Sequence, residues 1–82
     1  MKEIFEIPVY IVLKEYLYDS DYVQVGWSFS KDEAKEIART KAQEYADKNG
    51  FTVSHPEYDI DDTIFETDLY QWSVEQKHLE AR

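Results

Sequence analysis

The residues of this chain best equipped to do chemistry are carboxylates, and they are gathered in one stretch. From Asn49 to Gln76 the sequence carries Glu57, Asp59, Asp61, Asp62, Glu66, Asp68 and Glu75, and no Lys or Arg. Such a segment repels phosphate and anionic membrane surfaces and attracts cationic ones. In an extended chain, residues two apart project to the same side at a spacing of roughly 6.6–6.8 Å. Asp59/Asp61 and Glu66/Asp68 have that spacing. A row of this kind can imitate the charges of a nucleic-acid backbone and occupy a protein surface that normally grips phosphate. Tyr58, Tyr70 and Trp72 stand among the acids as candidate anchors, since aromatic side chains dominate binding energy while rim charges mainly steer encounter. The plainer reading of the same residues is a solvated loop that keeps the domain soluble.

Other chemistries fit less well. Asp59-x-Asp61-x-Thr63 starts like a calcium loop, but Ile64 stands where glycine makes the turn and Tyr70 where a bidentate glutamate closes the site. Paired-carboxylate catalysis needs two groups whose pKa values are pushed apart in a cleft. Asp61 and Asp62 are neighbours in a polar run, and a chain of 82 residues has little room for a cleft. His55 and His78 are far apart in sequence, Cys is absent, and only Gly26 and Gly50 are present. No His-rich or Cys-type metal site, disulfide, nucleophile motif or glycine-rich phosphate loop is therefore expected. The expectation is a protein that is not an enzyme and carries no cofactor or metal.

The elements that must position these residues are few. The length bounds the chain to a single domain over residues 1–82 with a thin core. Aromatics at 16% of the residues can thicken that core. Residues 9–18 alternate as a strand, with Val9, Ile11, Leu13 and Leu17 on one face; Tyr10, Val12, Tyr16 and Tyr18 are on the other. Residues 22–29 alternate more cleanly, with Val23, Val25, Trp27 and Phe29 on one face. A turn at Asp19-Ser20-Asp21 makes these a hairpin that pairs Tyr18 with Tyr22, Leu13 with Trp27 and Ile11 with Phe29. Glu15 then conflicts with the apolar face, which a bulge could resolve.

Ser30-Lys31-Asp32-Glu33 is a capping box. It opens a helix to about Lys48, with Phe29 placed to staple onto Ala34. The inner stripe is Ala34, Ile37, Ala38, Ala42, Tyr45 and Ala46, and Gly50 suits the left-handed position that ends it. Phe51–Ser54 is a third strand candidate and 69–76 a fourth, favoured by Tyr70, Trp72 and Val74 over a C-terminal helix with Leu69, Trp72, Gln76 and Leu79 as its stripe, which leaves 77–82 as a candidate flexible tail. The predicted fold is α+β, in the order β-β-α-β-β: a small antiparallel or mixed sheet with one helix on one face.

In that layout the hairpin face bearing Tyr10, Tyr16, Tyr18 and Tyr22 is left uncovered. It is a candidate surface for self-association into a homodimer. Direct nucleic-acid binding by these tyrosines is not expected, because the hairpin offers only Lys14 and the net charge is −9. No run of apolar residues suffices for a membrane span and the N-terminus lacks a signal-peptide pattern, so a cytoplasmic protein without membrane contact is expected.

The size, acidity and compact α+β design resemble the acidic phage-encoded inhibitors, among them anti-CRISPR proteins and DNA mimics. The order of Val9–Leu17, Ser30-Lys31-Asp32-Glu33-Ala34, Tyr58–Asp68 and Tyr70–Val74 resembles the DpnD/PcfM-like small proteins of mobile elements. Both resemblances imply an accessory or inhibitory binding role and neither assigns a role to a single residue. The functional expectation is a non-enzymatic inhibitor that docks on the basic, nucleic-acid-binding surface of another protein. Its partner-binding residues are Glu57, Tyr58, Asp59, Asp61, Asp62, Glu66, Asp68, Tyr70 and Trp72.

Overall fold

The computed structural model describes the backbone of residues 5–19, 21–60 and 62–81, and side chains within 7–78 of that span. The helix is α1, Lys31–Asn49. It begins where the capping box places it: the Ser30 hydroxyl accepts from the Glu33 N–H at 3.3 Å, and Asp32 and Glu33 sit in the first turn. Negative charge there complements the helix dipole. It stops at Gly50, which adopts φ 76° and directs its N–H to the Ala46 carbonyl. A β-carbon would make that left-handed backbone costly. The buried stripe is Ala34, Ala38, Ala42 and Ala46, four residues apart. Four methyl groups fill little volume, so the sheet beneath must supply the bulk.

The sheet has four antiparallel strands in the order β2-β1-β4-β3. They are β1 Phe5–Tyr16, β2 Tyr22–Ser28, β3 Ile64–Glu66 and β4 Tyr70–Ala81. The predicted fold class holds, but the third strand is Ile64–Glu66. Phe51–Ser54 contributes only a single bridge, Ser54 to Glu66. β4 runs on to Ala81, paired with Phe5 at its end, so the residues expected as a tail are largely strand. Its length is matched to β1, and the two pair through all twelve positions.

Two corrections concern the hairpin. Tyr10 faces Ser28, Ile11 faces Trp27 and Val12 faces Gly26, two residues off the expected register. After a bulge opposite Val12 and Leu13 the pairs become Leu13–Gln24 and Glu15–Tyr22. The helix also covers the opposite face from the one expected. Val12 is fully buried, and Tyr10 and Val25 pack against the same cluster. A β-carbon on Gly26 would come within 2.8 Å of Ile37 Cγ2, so the helix approaches β2 most closely where glycine makes room. The conflict at Glu15 disappears, because Glu15 points away from the helix.

The core between the layers is Val12, the helix alanines, Phe65 and Trp72, with Tyr45, Val53, Tyr70 and Val74 packed around them. Tyr45 anchors the aromatic part: its ring lies 5.1 Å from Tyr70, 5.4 Å from Trp72 and 5.9 Å from Phe51. Lys14 enters this group from β1, its ammonium 4.2 Å from the centre of the Tyr70 ring. The rings stabilise that half-buried charge through their negative faces. The expected staple is not made, since Phe29 stays exposed and stacks edge-on against Trp27 at 5.1 Å.

Candidate partner-binding surface

Strand alternation carried across the observed register assigns each side chain to a face. The face away from the helix carries Ile11, Leu13 and Glu15 from β1, and Tyr22, Gln24 and Trp27 from β2. From β4 it carries Gln71, Ser73, Glu75 and Lys77, and from β3 Ile64 and Glu66. Tyr22, Glu15, Gln71 and Glu66 form one row across all four strands. Ile11, Leu13, Glu15, Tyr22, Gln24, Ser73, Glu75 and Lys77 line a shallow groove of about 410 Å³. Tyr22, in its lining, is 70% exposed, and Trp27, on the same face by strand alternation, is 54% exposed. Glu15, Glu66 and Glu75 give this face three carboxylates, and Lys77 is its only cation among the described residues.

The acidic loop is placed differently. Asp59 turns its carboxylate inward: Oδ1 accepts from the Thr63 N–H at 3.0 Å and hydroxyl at 2.9 Å, and Oδ2 from the Ile64 N–H at 2.7 Å. Partial burial pushes its pKa up, but these hydrogen bonds outweigh that and hold it below the ordinary carboxylate value. Asp59 therefore closes the loop that leads into β3. It is not free to face a partner, which corrects its expected place in the binding set. Glu57, Tyr58 and Asp62 are exposed on the same loop, with Asp62 at φ 55°. Asp61 lies outside the described residues. Asp68 is exposed in the turn between β3 and β4, where the Thr67 N–H donates to the Tyr70 carbonyl at 2.9 Å.

Tyr70 and Trp72 fall on the helix side, Tyr70 half-buried and Trp72 only 2% exposed. Their expected role as anchors is corrected: they build the core. The tyrosine set proposed for self-association also separates. Tyr10 and Tyr16 face the helix, with the Tyr16 ring 5.5 Å from Tyr70. Tyr22 starts β2 on the opposite face and Tyr18 lies in the loop beyond β1, yet the Tyr18 ring sits 5.8 Å from Tyr16, and Tyr16 and Tyr22 line one shallow pocket, so the four do not share one sheet face but three of them meet at the hairpin end.

His55, Asp59 and Asp62 bring potential ligand atoms within 4.8 Å of one another and could hold a cation. His55 Nδ1 lies 2.9 Å from the Ile64 carbonyl, and this geometry also serves to fasten the loop to β3. No protein-family model, curated protein or solved structure matches this chain. Among the described residues, no helix is long and apolar enough to cross a membrane.

Sequence reasoning missed Glu15, Gln24, Trp27 and Glu75 as members of one surface. A signal was available: Glu15 shares strand parity with Ile11 and Leu13, and Ser73 and Glu75 alternate with the apolar Tyr70, Trp72 and Val74.

Proposed function

We propose that the protein is a non-catalytic binding module that docks on a basic surface of another protein through the uncovered sheet face. The observation that carries this reading is that Glu15, Glu66 and Glu75 share one sheet face with exposed Tyr22 and Trp27, with Lys77 its one cation among the described residues. Carboxylates steer a cationic partner and the two aromatic rings supply contact area. Glu57, Asp62 and Asp68 extend the negative field beyond the β3 edge. A groove that grips nucleic-acid phosphates is the class of partner surface that this field matches, which makes inhibition by charge mimicry the corresponding activity.

The test is a titration of the isotopically labelled protein with an oligoarginine peptide, followed by amide shifts. Shifts should cluster at Glu15, Tyr22, Glu66 and Glu75 and fade as salt rises to about 0.5 M, where the screening length falls to a few ångströms. Shifts confined to the acidic positions of α1, or binding indifferent to salt, would contradict the proposal.

A further inference from the structure

We infer that the partner engages this face as an extended basic segment that adds to the sheet along β2. The inference rests on the reading above for the sign of the partner's charge, and goes beyond it in the mode of binding.

The two sheet edges differ. β3 is three residues long and already covered on its outer side: Ser54 and Glu66 exchange backbone hydrogen bonds of 2.9 and 2.8 Å. β2 is seven residues long and, among the described residues, has no neighbour beyond it in the sheet. Among the described residues, no backbone hydrogen bond is made to its outer side. An edge strand exposes alternate N–H and C=O groups that can template another strand, and proteins blunt such edges with charge, proline or a bulge. Tyr22-Val23-Gln24-Val25-Gly26-Trp27-Ser28 contains neither charge nor proline, and its bulge blunts only the part around Val25. The bulge near Val25 divides the edge and leaves Tyr22–Gln24 as its straight part beside the groove. Exposed large apolar side chains also gather here, with Tyr22, Val23, Trp27 and Phe29 all more than half exposed.

Charge selects the occupant. On the uncovered face, an added strand would place alternate side chains next to Tyr22 and Gln24, with Glu15 and Leu13 one strand further in. Neighbouring strands are about 4.8 Å apart, so Glu15 lies roughly 10 Å from the added backbone. The extended side chains of an arginine and a glutamate together span that gap. An arginine on this path crosses the Tyr22 ring and gains a cation–π contact before it reaches the carboxylate. The recognised segment therefore alternates basic residues on the sheet's open side with β-formers on the other. Main-chain hydrogen bonds supply affinity and the alternate side chains supply specificity.

The experiment uses the full chain and an alternating Arg-Val heptapeptide. Two further peptides carry backbone N-methyl groups on every second residue, in the two opposite registers, with charge unchanged. The expected result is that the parent peptide slows hydrogen exchange at Tyr22–Gln24, and that one methylated register binds about tenfold more weakly than the other. Equal binding by both methylated peptides and the parent would overturn strand addition while leaving charge-driven docking in place. Failure of these peptides and of oligoarginine alike would remove the charge reading and this inference with it. Protection of the β2 amides without peptide, accompanied by a dimer in sedimentation, would assign the edge to a second copy and likewise overturn the proposal.

Discussion

The two faces of the sheet divide the work of the molecule. The helix-covered face holds Val12, Phe65 and Trp72, each no more than 3% exposed, under four alanines. The opposite face has no element packed over it among the described residues, and its central rows mix Leu13 and Ile11 with Glu15, Gln24, Gln71, Ser73 and Glu75. Residue type does not separate the two. The covered face contains a lysine and tyrosines, and the open face contains leucine, isoleucine and tryptophan. What separates them is the shape of the helix. A stripe of alanines leaves a deep space that only large rings fill, and Tyr45, Tyr70 and Trp72 fill it. A charged side chain survives there because Lys14 lies against those rings. Val9 is buried outside the helix-side cluster, the one residue of its parity so enclosed.

The contrast can be broken most forcefully from the covered side. Trp72→Ala should cost about 3–5 kcal/mol, enough to threaten a domain of this size. Trp27→Ser, on the open face, should cost less than about 1 kcal/mol. Denaturant unfolding of the two variants side by side measures the difference, and equal costs would mean that the faces are not distinct. Asp59→Asn comes next, at about 1–2 kcal/mol, because half-buried donors of Thr63 and Ile64 lose a charged acceptor. The sign with pH follows from its lowered pKa. The stabilisation is complete above the unfolded value near pH 4 and is lost as pH falls through the lower folded value. The wild-type chain should therefore show an acid-dependent loss of stability that Asp59→Asn reduces, read from melting temperatures between about pH 5 and 2.

Gly26→Ala tests the close approach of helix and edge. The new methyl meets Ile37 Cγ2 at 2.8 Å, and the expected cost is about 1–3 kcal/mol if the helix cannot shift. A neutral result would show that this side of the interface yields. Ser30→Ala should cost about 1 kcal/mol through loss of the helix cap. Since the cap lies outside the sheet, this variant should leave oligoarginine binding intact in the same titration.

The helix was legible because both of its ends are written locally, Ser30 with Glu33 at one and Gly50 at the other. The hairpin was legible from two alternating runs around a polar turn. The face was not, because Tyr and Lys carry long apolar bodies with polar tips and can bury one while wetting the other. Counted as polar, Tyr10, Lys14 and Tyr16 looked like the wet side and Ile11 and Leu13 like the core. Reading the alanine stripe for volume would have reversed that choice. β3 was missed because three residues show too little alternation, and Phe51–Ser54 had equal strand propensity. Among the acids, spacing could not show that Asp59 turns inward to cap the backbone at Thr63 and Ile64. It likewise could not put Glu15 and Glu66 in one row, on either side of Gln71, since that row depends on a register across the strands.

We propose that the uncovered sheet face is what meets the partner. The most direct test compares a Glu15→Gln/Glu66→Gln/Glu75→Gln chain with a Glu57→Gln/Asp62→Asn chain, each titrated with the same basic peptide and melted in parallel. The sheet-face variant should bind at least about tenfold more weakly at an unchanged or higher melting temperature, while the loop variant should bind nearly as the wild type does. Full binding by the sheet-face variant, with the loss falling on the loop variant instead, would contradict it.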